Sequence, residues 1–485
     1  MTLQQPEQLN KRALQAGTVY VVCQLLVRGV SFLATPIYTR LLTPEQYGQI
    51  RVYDAWLLLL VPVLSLCLYR SVERAKYDYR DKFSAYASSI LVLSFIVLGV
   101  FTVMMLLLGN VLQGLLKQTK LMFLVMILFL FSQTSLYIFF RREKQEMRYA
   151  GSAALTILSV LPSTLCSIFA IVWGNTQKEP QNLVHLRILG YYIPFIACGA
   201  GVAIIMLLQG RCYVNREYWS FGLSYSIPLI FETVSIQVMN QSDKIIIQRM
   251  VGDAAAGIYS LATTISWILF ILVESVWDAW LPWLYEKISA RHIQDTRKPW
   301  ITLMHSFGVL SWFIVMIGPE LTAVLGSAEY RPAKYLVAPL LLSVLYRFYS
   351  YIYTAVQNYH KKTSAVATTT AIAMALNVFL NIVCILAFGY QAAAYTTAFS
   401  CLFMMAAQAV MEKKVAKEPI ITLRRSLKIS LFYGVLILGS MMMYSFGIGI
   451  RLLMVIVAVS IFLVCNRKTA LQEIQSLWKQ FGKQN

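Results

Sequence analysis

The sequence predicts an all-α polytopic membrane protein with about 14 transmembrane helices, and three observations support this. Of the 485 residues, 58% are hydrophobic and only 13% are charged, with a mean hydropathy of +0.62. Soluble globular proteins do not have this composition. The apolar residues form runs of the length that crosses a bilayer, roughly 20 residues each. The basic residues are distributed unevenly over the connections between these runs.

The candidate spans share an apolar centre and are separated by short polar connections. They cover residues 16–36, 52–69, 83–108, 121–140, 152–173, 188–208, 221–241, 256–282, 300–318, 334–356, 364–388, 390–411, 428–446 and 449–465.

Lysine and arginine lie mainly in alternate connections. With the N-terminus placed in the cytoplasm, 29 of the 42 basic residues fall in inner connections and 11 in outer ones, while Arg28 and Arg347 lie within spans. This positive-inside bias predicts that both termini are cytoplasmic. We attribute the net charge of +20 to topology and to contact with anionic lipid headgroups, not to nucleic acid.

A short strip of sequence occurs twice. RLLTPEQYGQI follows the first span and RMVGDAAAGIY follows the seventh, with eight residues from Arg40 to Gly48 and from Arg249 to Gly257. Six spans lie between the strips, so the repeat is parallel. We therefore expect Gly48 and Gly257 to have equivalent structural roles where two lobes meet.

The repeat divides the chain into three parts. We predict an N-lobe over residues 1–210 with helices 1–6 and a C-lobe over residues 211–412 with helices 7–12. Residues 413–485 then hold helices 13–14 and a cytoplasmic tail.

The motifs of most enzyme and metal sites are missing from the sequence. It has no GxxxxGK[ST], no HExxH and no CxxC pair, and its four histidines are scattered. We expect neither a cofactor nor a metal. The connections are too short for the catalytic loop or domain of an integral-membrane glycosyltransferase or polymerase. The sequence therefore favours a transporter over such an enzyme.

The first span carries a polar stripe. Tyr20, Gln24, Arg28, Ser31 and Thr35 follow at steps of three or four residues and share one helix face. A charge at the centre of a span costs about 2.5–3.5 kcal/mol. Two interpretations remain: Arg28 lines a watery cavity and meets substrate, or it snorkels and is satisfied by neighbouring helices.

Two further charges lie deep in their spans. Glu232 is roughly 16 Å from the start of the seventh span and Arg347 roughly 20 Å from Lys334, at 1.5 Å per helical residue. Arg347, Tyr351 and Thr354 share a face. A guanidinium suits phosphate and aromatic rings suit sugars, so we expect either an anionic, sugar-bearing ligand or simple packing.

The remaining membrane acids each allow a structural and a functional interpretation. Asp54 follows Arg51 by three residues and forms either an interfacial ion pair or part of an ion-coupling site. Glu274 and Asp278 share a face near three tryptophans and form either a coupled acid pair or an interfacial structure.

Asp243 and Lys244 close the seventh candidate span, where we expect a structural ion pair at the helix end or between the lobes.

Three stretches carry a family resemblance. FLATPIYTRLLTPEQYGQI, SYSIPLIFETVSIQVMNQSDKIIIQRMVGDAAAGIYSLA and NVFLNIVCILAFGYQAAAYTTAFS resemble the first, seventh and eleventh-to-twelfth span motifs of the Wzx-like polysaccharide and O-antigen flippases. These belong to the multidrug, oligosaccharidyl-lipid and polysaccharide exporter superfamily. The family often has Gly-Ala-Ala where this chain has Ala392-Ala393-Ala394.

The resemblance implies a V-shaped, MATE-like arrangement of two six-helix lobes plus two C-terminal helices, with spans 1, 2, 7 and 8 at a central cavity. It implies alternating-access movement of an undecaprenyl-pyrophosphate-linked oligosaccharide to the outer leaflet of a bacterial cytoplasmic membrane. Membrane lipid, a polysaccharide polymerase and export machinery would be partners, and we expect a monomer. The alternative is a MATE-type cation-coupled exporter of small organic molecules, which deep acids without deep arginines would favour.

Under the flippase interpretation, the residues sort into two roles. The expected substrate-binding residues are Arg28, Arg347, Glu232, Tyr20, Gln24 and Tyr351, and the candidates for ion coupling are Glu232, Glu274, Asp278 and Asp54.

Overall fold

The computed structural model describes residues 29–30, 32–146, 148–177, 182–415 and 419–465, and every regular element in them is a helix. We number the α-helices in chain order. They are α1 (32–41), α2 (Pro44–Leu64), α3 (Ser71–Asp78), α4 (Phe83–Leu107), α5 (Gly109–Leu116), α6 (Lys120–Gln145), α7 (Tyr149–Thr176), α8 (Leu183–Gly210), α9 (Arg216–Met250), α10 (Asp253–Ser289), α11 (Arg297–Met316), α12 (Gly318–Leu325), α13 (Lys334–Tyr359), α14 (Thr363–Phe388), α15 (Ala392–Val415), α16 (Leu423–Gly439) and α17 (Ile448–Cys465).

Short 3₁₀ helices complete several connections. They are Leu68–Arg70, Arg80–Lys82, Ile293–Thr296, Ala328–Ala333 and Ser440–Ser445.

Within the described ranges, 11 helices are long and apolar enough to cross a membrane. The pair Pro44–Leu64 and Leu68–Asp78 is bent by 68° and makes 12 if it counts as one span. A shorter apolar helix covers Ile448–Val457. The chain is therefore a multi-pass membrane protein, as predicted, while the expected number of 14 is not confirmed. Most of the first candidate span, 16–36, lies outside the described residues.

The start and the end of α2 follow from local sequence. Thr43 and Gln46 form a capping box, in which the Thr43 side chain accepts from the Gln46 amide at 3.3 Å and the Gln46 side chain accepts from the Thr43 amide at 3.1 Å. Pro44 occupies the first helical position, where its missing N–H costs nothing. Near the other end Pro62 removes a helical hydrogen bond, and the chain turns at Cys67 through the left-handed region at φ 51°.

The helices pack in two groups with α2 between them. Helices α4, α6 and α7 each pack on α8, and α6 also contacts α4 and α7. Helix α13 packs on α10 and α15, and α14 packs on α9 and α15. Helix α2 contacts α6 and α8 on one side and α9 and α10 on the other. The predicted boundary at residue 210 coincides with the end of α8, and the division into lobes stays a prediction.

Several helices continue beyond the spans defined by hydropathy. Some basic residues that were assigned to connections therefore belong to helices. Basic residues expected in outer connections lie inside α-helices: Arg40, Arg51, Lys120, Arg187, Lys244, Arg249, Lys334 and Arg451. A span defined by hydropathy ends at a charged residue, whereas the hydrogen-bonded helix continues past it. Long cationic side chains can reach polar partners from within a helix. The first repeated strip is likewise not a loop, since α1 and α2 are separated by residues 42–43 alone.

Gly48 and Gly257 lie where α2 crosses α10. A Cβ on Gly48 would be 1.9 Å from the Asp253 carbonyl oxygen, and a Cβ on Gly257 would be 2.1 Å from the Pro44 carbonyl oxygen. Pro44 and Asp253 are the first residues of their helices, so each glycine meets the other helix's first residue. Only glycine permits this approach.

Candidate functional site

Two cavities lie on opposite sides of α2, and Leu58 lines both. The first cavity, of about 610 Å³, is enclosed by α1, α2, α6, α7 and α8. Its charged and tyrosine side chains are Tyr38, Tyr47, Arg51, Asp54, Glu73, Tyr137, Arg141, Lys144, Arg187, Tyr191 and Tyr192. Four cationic groups against two carboxylates give this cavity a positive balance.

At one end of the first cavity, Asp54 lies between two arginines. Arg187 Nη1 donates to Asp54 Oδ1 at 3.2 Å, and Arg51 Nη1 is 3.6 Å from Oδ2. Tyr192 donates to Asp54 Oδ1 at 2.6 Å, and the Arg187 guanidinium lies 4.9 Å from the Tyr191 ring centroid. The interfacial Arg51–Asp54 pair expected from the sequence is therefore part of a larger cluster that α8 completes.

The opposite end of the first cavity is also basic. Arg141, on α6, donates to Glu73 of α3 and lies 5.0 Å from the Tyr69 ring centroid. Lys144 lines the cavity one turn further along α6. The lining residues of α6 run from Phe129 to Lys144, roughly 22 Å at 1.5 Å per residue. The cavity therefore extends over most of a membrane's depth and has cations near both of its ends.

The second cavity, of about 500 Å³, lies among α9, α10, α13, α14 and α15. It brings together four side chains that the sequence analysis had singled out: Glu232, Glu274, Arg347 and Tyr351. Asn240, Thr354 and Asn358 add uncharged polar groups to its wall.

Arg347 is held at the inner wall of this second cavity. Its Nη1 donates to Asn240 Oδ1 at 2.6 Å, and its guanidinium lies 5.7 Å from the Phe270 ring centroid. Asn240 is uncharged, so this hydrogen bond does not neutralise the Arg347 guanidinium. A smaller cavity of about 80 Å³ adjoins Arg347 and reaches Asp243.

The predicted acids have separate partners. Glu232 Oε2 is 3.6 Å from Arg70 Nη1, and the same Nη1 donates to Thr233 at 2.8 Å. Glu274 accepts a hydrogen bond from Tyr351. Asp278 is exposed and lines neither cavity. Of the two interpretations given for Glu274 and Asp278, the coupled acid pair is disfavoured because only Glu274 lines the second cavity, and a role of either acid in ion coupling stays a prediction.

The helix-end ion pair expected between Asp243 and Lys244 is wrong. Helix α9 continues to Met250, so neither residue is at its end. The buried Asp243 carboxylate accepts hydrogen bonds from the side chains of Tyr259 at 2.5 Å, Asn381 at 2.6 Å and Thr397 at 2.8 Å.

Lys244 instead donates to Gln241 at 3.0 Å. Asp243 is therefore bound by three uncharged donors from three other helices and not by the Lys244 ammonium.

Some predicted residues fall outside the description, and others were missed. Tyr20, Gln24 and Arg28 lie outside the described residues. Sequence reasoning missed Arg187, Arg141 and Arg70 as site residues, because their partners are on helices distant in sequence. Across the described ranges, no group of three or more His, Cys, Asp or Glu side chains could hold a metal ion.

Two sequence comparisons match the chain to known proteins. Residues 13–289 match the model of a family described as polysaccharide biosynthesis protein. "Lsg locus putative protein 1" of Haemophilus influenzae is 22% identical over 358 residues, which covers 69% of this chain and 84% of that protein.

Solved structures are similar in fold at low sequence identity. Lipid II flippase MurJ in an inward closed conformation aligns with a TM-score of 0.69 at 13% identity, covering 93% of this chain and 100% of that one. An inward-facing multidrug resistance MATE family transporter aligns with a TM-score of 0.62 at 12% identity, covering 81% and 97%. The predicted MATE-like fold is thereby confirmed.

Proposed function

This chain belongs to the polysaccharide biosynthesis protein family, and from that membership we propose that it is a flippase for a lipid-linked oligosaccharide. It takes an undecaprenyl-pyrophosphate-linked repeat unit from the cytoplasmic to the outer leaflet of a bacterial cytoplasmic membrane. A polysaccharide polymerase and export machinery then act on the product. The proposal includes alternating access between two lobes, residues 1–210 and 211–412.

The observation that carries the proposal is the charge distribution of the first cavity. Arg141 and Lys144 lie near one end and Arg51 and Arg187 near the other, and the lining residues of α6 between Phe129 and Lys144 span roughly 22 Å. A pyrophosphate that enters at Arg141 and Lys144 meets a second cationic pair further on. Guanidinium groups bind phosphate oxygens with two parallel hydrogen bonds, so each end suits the same anion.

The walls between these ends suit sugars. Tyr38, Tyr137 and Tyr191 present aromatic rings and hydroxyl groups to the first cavity, and such side chains combine an apolar face with a polar tip. Arg28 belongs to a predicted helix face that also includes Thr35, and Thr35 lines this cavity. We propose that Arg28, with Tyr20 and Gln24, extends the same lining.

The second cavity supplies the other part of the proposed route. In the second cavity, on the other side of α2 from the first, Arg347 and Tyr351 would contact the anionic or sugar part of the substrate. Glu232 would contact sugar hydroxyls there. The alternative of a cation exporter is less well supported, because Glu232 and Glu274 already have partners in Arg70 and Tyr351.

The class of substrate is tested by lipid analysis in a deletion strain. We expect undecaprenyl-linked repeat units to accumulate on the cytoplasmic side and to disappear when the gene is restored. The double variant Arg141→Gln/Lys144→Gln should reach the membrane in normal amounts and leave most of the repeat units uncleared. Lys413→Gln, a change at an exposed lysine of α15 outside both cavities, is the matched control. Normal lipid-linked sugars in the deletion strain would contradict the proposal.

A further inference from the structure

A third cavity lies apart from the two already described, on the outside of the bundle. It measures about 490 Å³ and is formed by the end of α6, the beginning of α7 and the end of α8. It shares no lining residue with the first cavity, because it uses the opposite face of α6. We call it the lateral groove. The helix ends that form it are predicted to lie at the cytoplasmic surface.

The lateral groove is polar at one end and apolar at the other. Gln209 and Arg142 lie at the helix ends, whereas Leu158 of α7 and Ile205 of α8 lie one to two turns deeper. Leu158 is 63% exposed and Ile205 is 49% exposed, so the deeper wall faces the lipid. A polar mouth at the interface above an apolar slot has the polarity of a phospholipid.

Two guanidinium groups at the mouth suit a phosphate. Arg142 is buried, and its Nη1 donates to Gln209 Oε1 at 2.9 Å. Its Nε lies 3.7 Å from Glu146 Oε2 but has no hydrogen-bond acceptor within the described ranges. Arg148 is exposed at the same mouth, with Nη1 3.2 Å from Glu146 Oε2. A buried donor without an acceptor is costly, and a phosphate oxygen would satisfy it.

A carboxylate beside these arginines suits a positive group on the same ligand. The Glu143 side chain is 8% exposed, and in the described structure its one ion-pair partner is Arg142, whose Nε is 4.0 Å away. Gly151 lies opposite, where a Cβ would be 3.1 Å from Glu143 Oε2. The lining of the mouth therefore sets one carboxylate beside two arginines, a set that can hold a phosphate and a neighbouring ammonium together.

We propose that the lateral groove is a binding site for a zwitterionic phospholipid with a primary ammonium, that is, a phosphoethanolamine headgroup. The phosphate binds Arg142 and Arg148, and the ammonium binds Glu143. One acyl chain lies along Leu158 and Ile205. The site is independent of the transport cavities and does not depend on the proposed function.

The headgroup preference is measured on the full-length protein. The purified chain is delipidated in detergent and titrated with phosphatidylethanolamine, phosphatidylcholine and phosphatidylglycerol of identical acyl chains, and bound lipid is counted by native mass spectrometry. We expect phosphatidylethanolamine to bind roughly tenfold more tightly than the other two, the size of one charge-assisted hydrogen bond. Equal binding of all three overturns the proposal, and a preference for phosphatidylglycerol overturns the role of Glu143.

Two variants test the groove itself. Glu143→Gln should reduce phosphatidylethanolamine binding to the level of phosphatidylcholine. Gly151→Leu should lower binding of all three lipids by filling the space before the carboxylate, and it serves the test where Glu143→Gln does not accumulate. Glu286→Gln, at an exposed position of α10 outside the groove, is the control. A preference for phosphatidylethanolamine that survives Glu143→Gln, or undiminished binding of all three lipids by Gly151→Leu, contradicts the proposal.

Discussion

At the scale of single residues, the carboxylates of the cavities are each held by a side chain from another element. Asp54 of α2 is held from α8, Glu73 of α3 from α6, Glu232 of α9 by Arg70, and Glu274 of α10 from α13. These acids therefore serve first to fix helices and to orient cations. The positive groups exceed them in the first cavity, which favours an anionic ligand over a cationic one.

The clearest residue-scale prediction concerns Arg187 and Asp54. Arg187→Gln should destabilise the protein by about 3 kcal/mol, because it leaves a poorly solvated carboxylate with a single arginine at 3.6 Å. Thermal unfolding in detergent, followed by size-exclusion chromatography, measures the loss. The double variant Arg187→Gln/Asp54→Asn should recover much of the stability, since no unpaired charge remains. A double variant no more stable than the single one would show that this pair does not matter.

Residue-scale prediction from sequence used depth for Glu232 and Arg347 and a shared helix face for Tyr351. These three side chains and Glu274 line one cavity, and their role towards a substrate stays a prediction. Prediction from sequence failed for Arg187, which hydropathy left in a connection although α8 begins at Leu183. The partner that makes its burial favourable is on α2, and no local pattern contains that information.

At the scale of elements, α2 connects the parts of the molecule. Its capping box fixes where it starts, Gly48 lets it touch α10, and Leu58 separates the two cavities. It then ends just beyond Pro62, and the chain bends towards Arg70, the partner of Glu232. A movement of α2 relative to α10 would therefore change the walls of both cavities at once.

The element-scale prediction tests the crossing at Gly48. Gly48→Val should lower the thermal stability by about 1–3 kcal/mol, because its Cβ would overlap the Asp253 carbonyl oxygen and the helices must move apart. Gly99→Val on α4 is the matched control, since a Cβ there meets nothing within 4 Å. Equal stability of the two variants would mean that the close crossing is dispensable.

At the scale of the whole molecule, composition and charge alternation were sufficient to predict the multi-pass helical fold. They were not sufficient to define helix ends. Arg51 precedes the second hydropathy span and Lys244 follows the seventh, yet both lie inside helices. Their charges are accommodated there because Arg51 pairs with Asp54 and Lys244 donates to Gln241. The total of 14 spans depends on chain segments beyond those described.

The positive-inside bias gives a whole-molecule prediction for the termini. We expect a reporter that is active only in the periplasm to give no signal when fused at Gln484, because an even number of spans returns the chain to the cytoplasm. A fusion after Thr119, in the predicted outer connection before α6, should be active and serves as the control. Strong activity at Gln484 would require an odd number of spans.

The last prediction tests alternating access directly. At the predicted outer end, Gln49 Nε2 of α2 donates to Asp253 Oδ2 of α10 at 2.9 Å, and Arg40 Nη2 of α1 donates to the Val324 carbonyl oxygen of α12 at 3.2 Å. In a background without native cysteines, Gln49→Cys/Asp253→Cys should form a disulfide that holds this end shut. Oxidised cells should then lose surface polysaccharide, and a reductant should restore it. The control pair Lys287→Cys/Asp295→Cys replaces an ion pair of 3.1 Å within the second half and should leave transport unchanged. Full transport by the oxidised Gln49/Asp253 variant would rule out separation of α2 from α10 as a required step.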